Sequence, residues 1–179
     1  MKTTLWLKPQ AKPVFHPKRP VLYAVLSNVD EELNRLQLQG VITPVSYSVW
    51  AAPIVVIKKV NGTIRICADF FTGLKAALKQ CNYPLPAPAD LFTMLNGGTF
   101  FAKLDLADAY LQVEVAEDSR DLLTINTHRG LFQYSRLPFG VKTAPSIFQQ
   151  LMDTILSGIL EVATYLDDIL IVATSLEQL

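Results

Sequence analysis

The stretch VATYLDDILIVAT, residues Val162–Thr174, decides how the rest of the chain is read. It is apolar or neutral throughout except for two adjacent carboxylates, Asp167 and Asp168, at its middle. Such a run reads as two short buried strands joined by a tight turn. Carboxylates held beside a core are costly unless something compensates their charge. A divalent cation compensates and also does chemistry. Aspartate is equally common as a solvated residue of hairpin turns. On these residues alone both readings stand.

Working outward, 179 residues suffice for one good core or for two small lobes sharing one. With 50% hydrophobic and 18% charged residues the chain is a globular protein rather than a disordered one. The 16 basic and 16 acidic residues cancel in number but not in place. Residues 1–80 hold 11 Lys/Arg against 4 Asp/Glu, and residues 81–179 hold 5 against 12. A half of about +7 followed by a half of about −7 fits a basic surface for a polyanion beside an acidic site for metal. It also fits two ordinary solvated faces that differ. Cys67 and Cys81 lack metal-ligand spacing, so reduced thiols in an intracellular compartment are expected. His16 and His128 stand alone and neither is read as a ligand. Lys8 and Pro9 interrupt the N-terminus too early for a signal peptide, and no uncharged apolar run approaches membrane-spanning length.

Residues 1–20, with Pro9, Pro13, Pro17 and Pro20, read as an extended, mobile basic leader. A helix is expected from Asn28, with Glu31 completing a capping box, Val29, Leu33 and Leu36 as its apolar stripe, and Gly40 closing it. AAPIVVIKK and TIRICAD flank Asn61-Gly62, which suits a type I′ hairpin turn. Lys58, Lys59 and Arg65 then lie on paired strands, either to meet an anion together or to protect an exposed edge. Asp90–Asn96 reads as a short helix stopped by Gly97-Gly98. TFFAKLDLADAYLQVEV begins as a strand and resumes as one at Leu111, with Asp105 at the interruption and Asp108 and Tyr110 behind it. Leu122–Asn126 and Leu131–Ser135 form another expected strand pair. After the LPFGVKTAP loop, a helix with Pro145 in its first turn carries Ile147, Phe148, Leu151, Met152, Ile155 and Ile159 as a core stripe.

A lone Asp after a strand, a basic hairpin upstream and an Asp-Asp turn downstream suit phosphoryl transfer to a 3′-hydroxyl. That chemistry uses two divalent cations about 3.5–4 Å apart. Hard cations take carboxylate oxygens, and cationic side chains opposite them neutralise a triphosphate. The segments WAAPIVVIKK, NYPLP, FAKLDLADAY, LPFGVKTAPSIFQQLMD and YLDD, in this order, resemble the reverse transcriptase of LTR retrotransposons, in particular the gypsy class. The resemblance covers about residues 20 to 175. It implies an α+β right-hand polymerase fold, with fingers and a partial palm whose antiparallel sheet is backed by helices. Its divisions are a basic Pro-rich leader at 1–20, fingers at 21–80 and 113–143, and palm at 81–112 and 144–179.

Residue by residue, the resemblance implies that Asp105, Asp167 and Asp168 bind two Mg²⁺ ions, or Mn²⁺, as the catalytic triad. Lys59 and Arg65 meet the incoming triphosphate, Asp108 and Ala109 meet it through backbone amides, and Tyr110 is the gate against a ribose 2′-hydroxyl. Pro138, Phe139 and Gly140 line the nucleotide pocket. The implied partners are an RNA or DNA template with its primer, deoxynucleoside triphosphates and the thumb and ribonuclease H portions of a longer polyprotein, with no membrane. Two departures accompany the likeness. Where family members read close to Asp-Tyr-Arg, this chain has Asp69-Phe70-Phe71. The chain also stops at Leu179, before the remaining palm strands, thumb and ribonuclease H domain, and lacks the Asp-Ser/Thr-Gly motif of an aspartic protease. The expectation is a truncated polymerase module, weak or inactive alone. The alternatives are an inactive retroelement remnant that at most binds nucleic acid and, third, a two-metal nuclease, which leaves the tyrosine gate and the basic hairpin unexplained.

Overall fold

The computed structural model describes residues 2–60 and 62–179. Strand β1 (Lys2–Thr3) precedes helix α1 (Leu26–Leu38), strands β2 (Ile42–Val45), β3 (Ala52–Lys58) and β4 (Ile64–Ala68), and the short helix α2 (Leu74–Ala77). Helix α3 (Pro88–Met94), strands β5 (Phe100–Asp105) and β6 (Glu114–Val115), and helix α4 (Glu117–Arg120) follow. The chain ends with strands β7 (Thr124–Thr127) and β8 (Gly130–Tyr134), helix α5 (Ala144–Ile155), and strands β9 (Val162–Tyr165) and β10 (Asp168–Ala173). These elements form two compact units, each drawn from two stretches of chain: Met1–Gln80 with Leu111–Ala144, and Cys81–Tyr110 with Pro145–Leu179.

The first unit is built on a sheet of order β2-β8-β7-β3-β4, parallel only between β3 and β7. Helix α1 packs on β2 and β4 through Val29, Leu33 and Leu36, all buried as the spacing requires. Its end is the expected glycine stop. Gly40 has φ +66°, and the Val41 and Gly40 N–H groups return to the Leu36 and Gln37 carbonyls. Its start differs from expectation. A 3₁₀ turn over Tyr23–Val25 leads into α1 at Leu26, so the first helical N–H groups are already paired and Asn28 has nothing to cap.

Residues 2–20 are docked, not free. β1 pairs with β6, Leu5 is buried, Lys8 N–H donates to the Ala77 carbonyl, and His16 N–H donates to the Ala51 carbonyl. The prolines remove donors but keep the segment extended, and an extended strip can add itself to exposed backbone. Strands β3 and β4 pair as the hairpin the sequence suggests. Lys58 is the last β3 residue, opposite Ile64, and Lys59 N–H donates to the Thr63 carbonyl. Gly62 sits at φ +85°, and its N–H donates to the Lys59 carbonyl. Asn61, and with it the expected Asn-Gly turn, lies outside the described residues.

The second unit holds an antiparallel sheet of order β5-β10-β9. Leu91 of α3, Phe148 and Met152 of α5, and Ala163, Val172 and Ala173 of the strands are buried. Gly98 is obligatory before β5, because a Cβ there would stand 1.7 Å from a Val172 methyl. The expected core stripe of α5 runs out early. Ile155 and Ile159 are 61% and 53% exposed, since the helix ends at Ile155 and the chain leaves the helical register. β5 is likewise not the buried strand its composition suggests. Phe101 and Leu104 are largely exposed because β5 lies at the sheet edge with β10 as its neighbour. Among the described residues no helix is long and apolar enough to cross a membrane.

Candidate active site

In the second unit, register does what sequence spacing alone does not show. Residue 105 ends β5 and residue 168 begins β10, and the two are direct cross-strand partners. Directly opposed residues of an antiparallel pair present their side chains on one face with Cβ atoms about 4.5–5.5 Å apart. Two aspartates in such a position repel unless a cation stands between or beside them. Asp167 occupies the two-residue turn next to them, and its carbonyl accepts the Leu106 N–H at 3.0 Å, tying the end of β5 to the turn.

The cation beside them is Lys103. Its Nζ lies 2.8 Å from the Asp168 carboxylate. The hydrogen bond and charge of Asp168, with the charges of Asp105 and Asp167 behind them, raise the lysine pKa above its ordinary value. All three aspartates thus act on one ammonium group. Among the described residues, however, no three His, Cys, Asp or Glu side chains come together closely enough to hold a metal ion. The donor chemistry suits a hard divalent cation, with a facing carboxylate pair and a third on the adjoining turn.

The turn itself is strained. Leu166 sits at φ +56°, a conformation that costs a branched residue about 1–3 kcal/mol and persists only when its surroundings hold it. What holds it is Gln149 of α5, which is 1% exposed. Its Oε1 accepts the Leu166 N–H at 3.1 Å, and its Nε2 donates to the Thr164 carbonyl at 3.0 Å and hydroxyl at 2.7 Å. Asp153 accepts from the Thr164 hydroxyl at 2.7 Å and from the Tyr83 hydroxyl at 2.6 Å. Sequence reasoning missed Gln149. Its signal was a polar residue on the arc shared by Met152 and Leu156, where an apolar one is expected.

After β5 the chain turns through Asp108 at φ +50°, a left-handed position that aspartate tolerates. Ala109 is fully buried, and Tyr110 is 8% exposed with its ring edge-on to Phe148, centroids 5.3 Å apart. Burial first, and the charge of Asp167 second, push the Tyr110 hydroxyl pKa up. The ring is therefore a fixed, neutral wall.

The first unit brings together a different subset. The Arg65 guanidinium lies over the Phe139 ring, 4.7 Å from its centroid. Pro138 is buried, and Gly140, at φ +95°, passes so close to β4 that a Cβ would stand 2.7 Å from the Ala68 carbonyl. Glycine is required there on both counts. Lys59 is exposed in the hairpin loop. Lys58 does not join Arg65. It pairs opposite Ile64 and faces away from the Ile57–Arg65 pair, because strand side chains alternate. At the Asp69-Phe70-Phe71 departure, Phe70 is buried, Asp69 pairs with Arg19 at 2.5 Å, and the Lys75 ammonium lies 3.7 Å from the centre of the Phe71 ring. A cation stands there although the motif's arginine is missing.

The family model "Reverse transcriptase (RNA-dependent DNA polymerase)" matches residues 57–179. An uncharacterized protein of Caenorhabditis elegans is 55% identical over 170 residues, which are 94% of this chain and 13% of that protein. The transposon Tf2-3 polyprotein of Schizosaccharomyces pombe is 36% identical over 145 residues, 80% of this chain and 11% of the polyprotein. The chain therefore spans about an eighth of the length of these relatives. A foamy viral protease–reverse transcriptase in complex with double-stranded DNA has the same fold, with TM-score 0.84 at 18% identity over 96% of this chain and 30% of that one.

Proposed function

The chain belongs to the reverse transcriptase family, and from that premise we propose that it is the RNA-directed DNA polymerase module of a gypsy-class LTR retroelement polyprotein. It joins deoxynucleotides to a primer 3′-hydroxyl on an RNA or DNA template, in an intracellular setting. The first unit serves as fingers and the second as palm. The observation that carries this reading is the pairing of Asp105 opposite Asp168 beside the strained turn that bears Asp167.

Asp105, Asp167 and Asp168 are the residues that hold two Mg²⁺ ions, or Mn²⁺. When bound, such ions lower the pKa of the attacking hydroxyl and stabilise the charge of the leaving pyrophosphate. The protein does the rest by placement. Leu106 N–H and Gln149 fix the turn and therefore the reach of Asp167 and Asp168. Lys59 and Arg65 neutralise the triphosphate, with the Arg65 plane set by the Phe139 ring. Tyr110, packed against Phe148, cannot retreat from a 2′-hydroxyl, so deoxynucleotides are selected. Pro138, Phe139 and Gly140 line the nucleotide pocket, and the Asp108 and Ala109 amides meet the phosphates.

Primer extension on an RNA template with Mg²⁺ tests this directly, comparing the wild type with Asp167→Asn. Incorporation should fall by about a hundredfold or more in the variant, the scale of a lost transition-state contact. Incorporation by neither protein would instead support an inactive remnant that binds nucleic acid.

A further inference from the structure

We propose that Lys103 is a displaceable counter-ion, a positioning residue that keeps the facing aspartates together before metal arrives and is exchanged for metal when the site loads. The inference rests on the two-metal reading of Asp105, Asp167 and Asp168. Three observations carry it beyond that reading. The second unit contains eight Asp/Glu and a single Lys/Arg, and that residue is Lys103. Lys103 lies on β5 two residues before Asp105, hence on the face that Asp105 shares with Asp168, and its Nζ is 2.8 Å from the Asp168 carboxylate. Its side chain is 60% exposed, whereas that of Asp168 is 28% exposed.

The exposure decides what kind of pair this is. A lysine buried with its carboxylate could not leave without stranding a charge in the core. Lys103 can swing into water on its flexible four-carbon stem, and the ammonium is a compact, strongly hydrated charge that loses little by doing so. Until then it offsets the repulsion of two aspartates placed directly opposite each other. A divalent ion supplies twice the charge and takes several oxygens at once, so it replaces the ammonium and leaves no room for both cations on the same oxygens. Metal affinity is therefore set partly by the lysine that must be evicted.

The test is Mn²⁺ titration by calorimetry, together with thermal unfolding in chelator and in saturating Mn²⁺. The proteins are the full chain, Lys103→Met and Lys103→Arg. Lys103→Met should bind Mn²⁺ roughly two- to fivefold more tightly, the range an exposed ion pair supports. Its Tm should lie below that of the wild type in chelator, and the gap should close in saturating Mn²⁺. Lys103→Arg, which keeps the charge, should behave as the wild type. A lysine that matters only through packing of its stem gives the same Tm gap with and without metal, and that result overturns the proposal. So does an affinity in Lys103→Met that is unchanged or weaker. Wild type and variant that both bind Mn²⁺ with equal affinity sink the counter-ion alone. Absence of binding in both proteins sinks the two-metal reading and the counter-ion with it.

Discussion

The two units of the molecule carry opposite charge and hold their candidate site residues by different means. The first has 15 Lys/Arg against 8 Asp/Glu, a net of +7, and the second has 1 against 8, a net of −7. In the first, Arg65 and Lys59 are exposed side chains, and the Arg65 guanidinium rests on the Phe139 ring. In the second, the aspartates are set by backbone: a strand register, a left-handed Leu166 and a buried glutamine that holds the turn. Long cationic side chains can meet a mobile polyanion while keeping their freedom. Carboxylates that are to share metal ions need fixed spacing, and strain is tolerable where buried hydrogen bonds enforce it.

The largest test of that contrast removes one holding element from each unit. Gln149→Leu conserves volume but strips the acceptor from the Leu166 N–H and the donor from the Thr164 carbonyl, in a buried place. Urea unfolding should show a loss of about 2–4 kcal/mol, because each stranded polar group costs about 1–3 kcal/mol. Arg65→Gln removes an exposed cation–π contact and should cost about 0.5–1 kcal/mol. Equal losses would mean that the two units are built alike. Primer extension should separate them as well, with Gln149→Leu losing activity at any nucleotide concentration and Arg65→Gln losing it chiefly through a higher KM.

A smaller effect concerns how the basic unit meets the triphosphate. Attraction between exposed cations and a polyanion is screened by salt. Lys59→Gln with Arg65→Gln should therefore weaken binding of a labelled deoxynucleoside triphosphate, measured by fluorescence anisotropy, and make what remains less sensitive to salt. Asp105→Asn, measured without divalent metal, should keep the salt sensitivity of the wild type. A salt response that moves with Asp105 rather than with the two cations would break the assignment of the triphosphate to the basic unit.

How much of this could be read from sequence depends on the range of the interaction that decided it. The YLDD hairpin was legible because two charges interrupt an apolar run, and the end of α1 because Gly40 closes it. The pairing of β5 with β10 was not, since the partners are some sixty residues apart and no local pattern encodes register. The N-terminal stretch read as a free leader because its prolines and lysines are the composition of a linker. Its docking depends on backbone groups at Ala51 and Ala77 that composition does not reveal. Gln149 was hidden by the same logic as any buried polar residue, because its partners come from another element.

The smallest expected effect lies in the alkaline limb of stability. Both units bury a tyrosine whose pKa is raised: Tyr134 in the first, by burial first and then by the charges of Cys67 and Glu32, and Tyr110 in the second, by burial and Asp167. Below about pH 10, the ordinary tyrosine value, neither hydroxyl ionises in the folded or unfolded chain, so neither makes stability depend on pH. Above it the unfolded chain loses its proton first, and stability falls as pH rises toward the folded pKa. One unit above the ordinary value, a tyrosine kept neutral costs at most about 1.4 kcal/mol. Tyr134→Phe should therefore make the fall of Tm between about pH 9 and 11 visibly shallower. Tyr110→Phe should do so less, because Tyr110 is 8% exposed whereas Tyr134 is 2% exposed. The same fall in both variants would mean that the tyrosine beside the aspartates is as thoroughly shut from water as one in the sheet core, and that the acidic unit is closed where the polymerase reading needs it open.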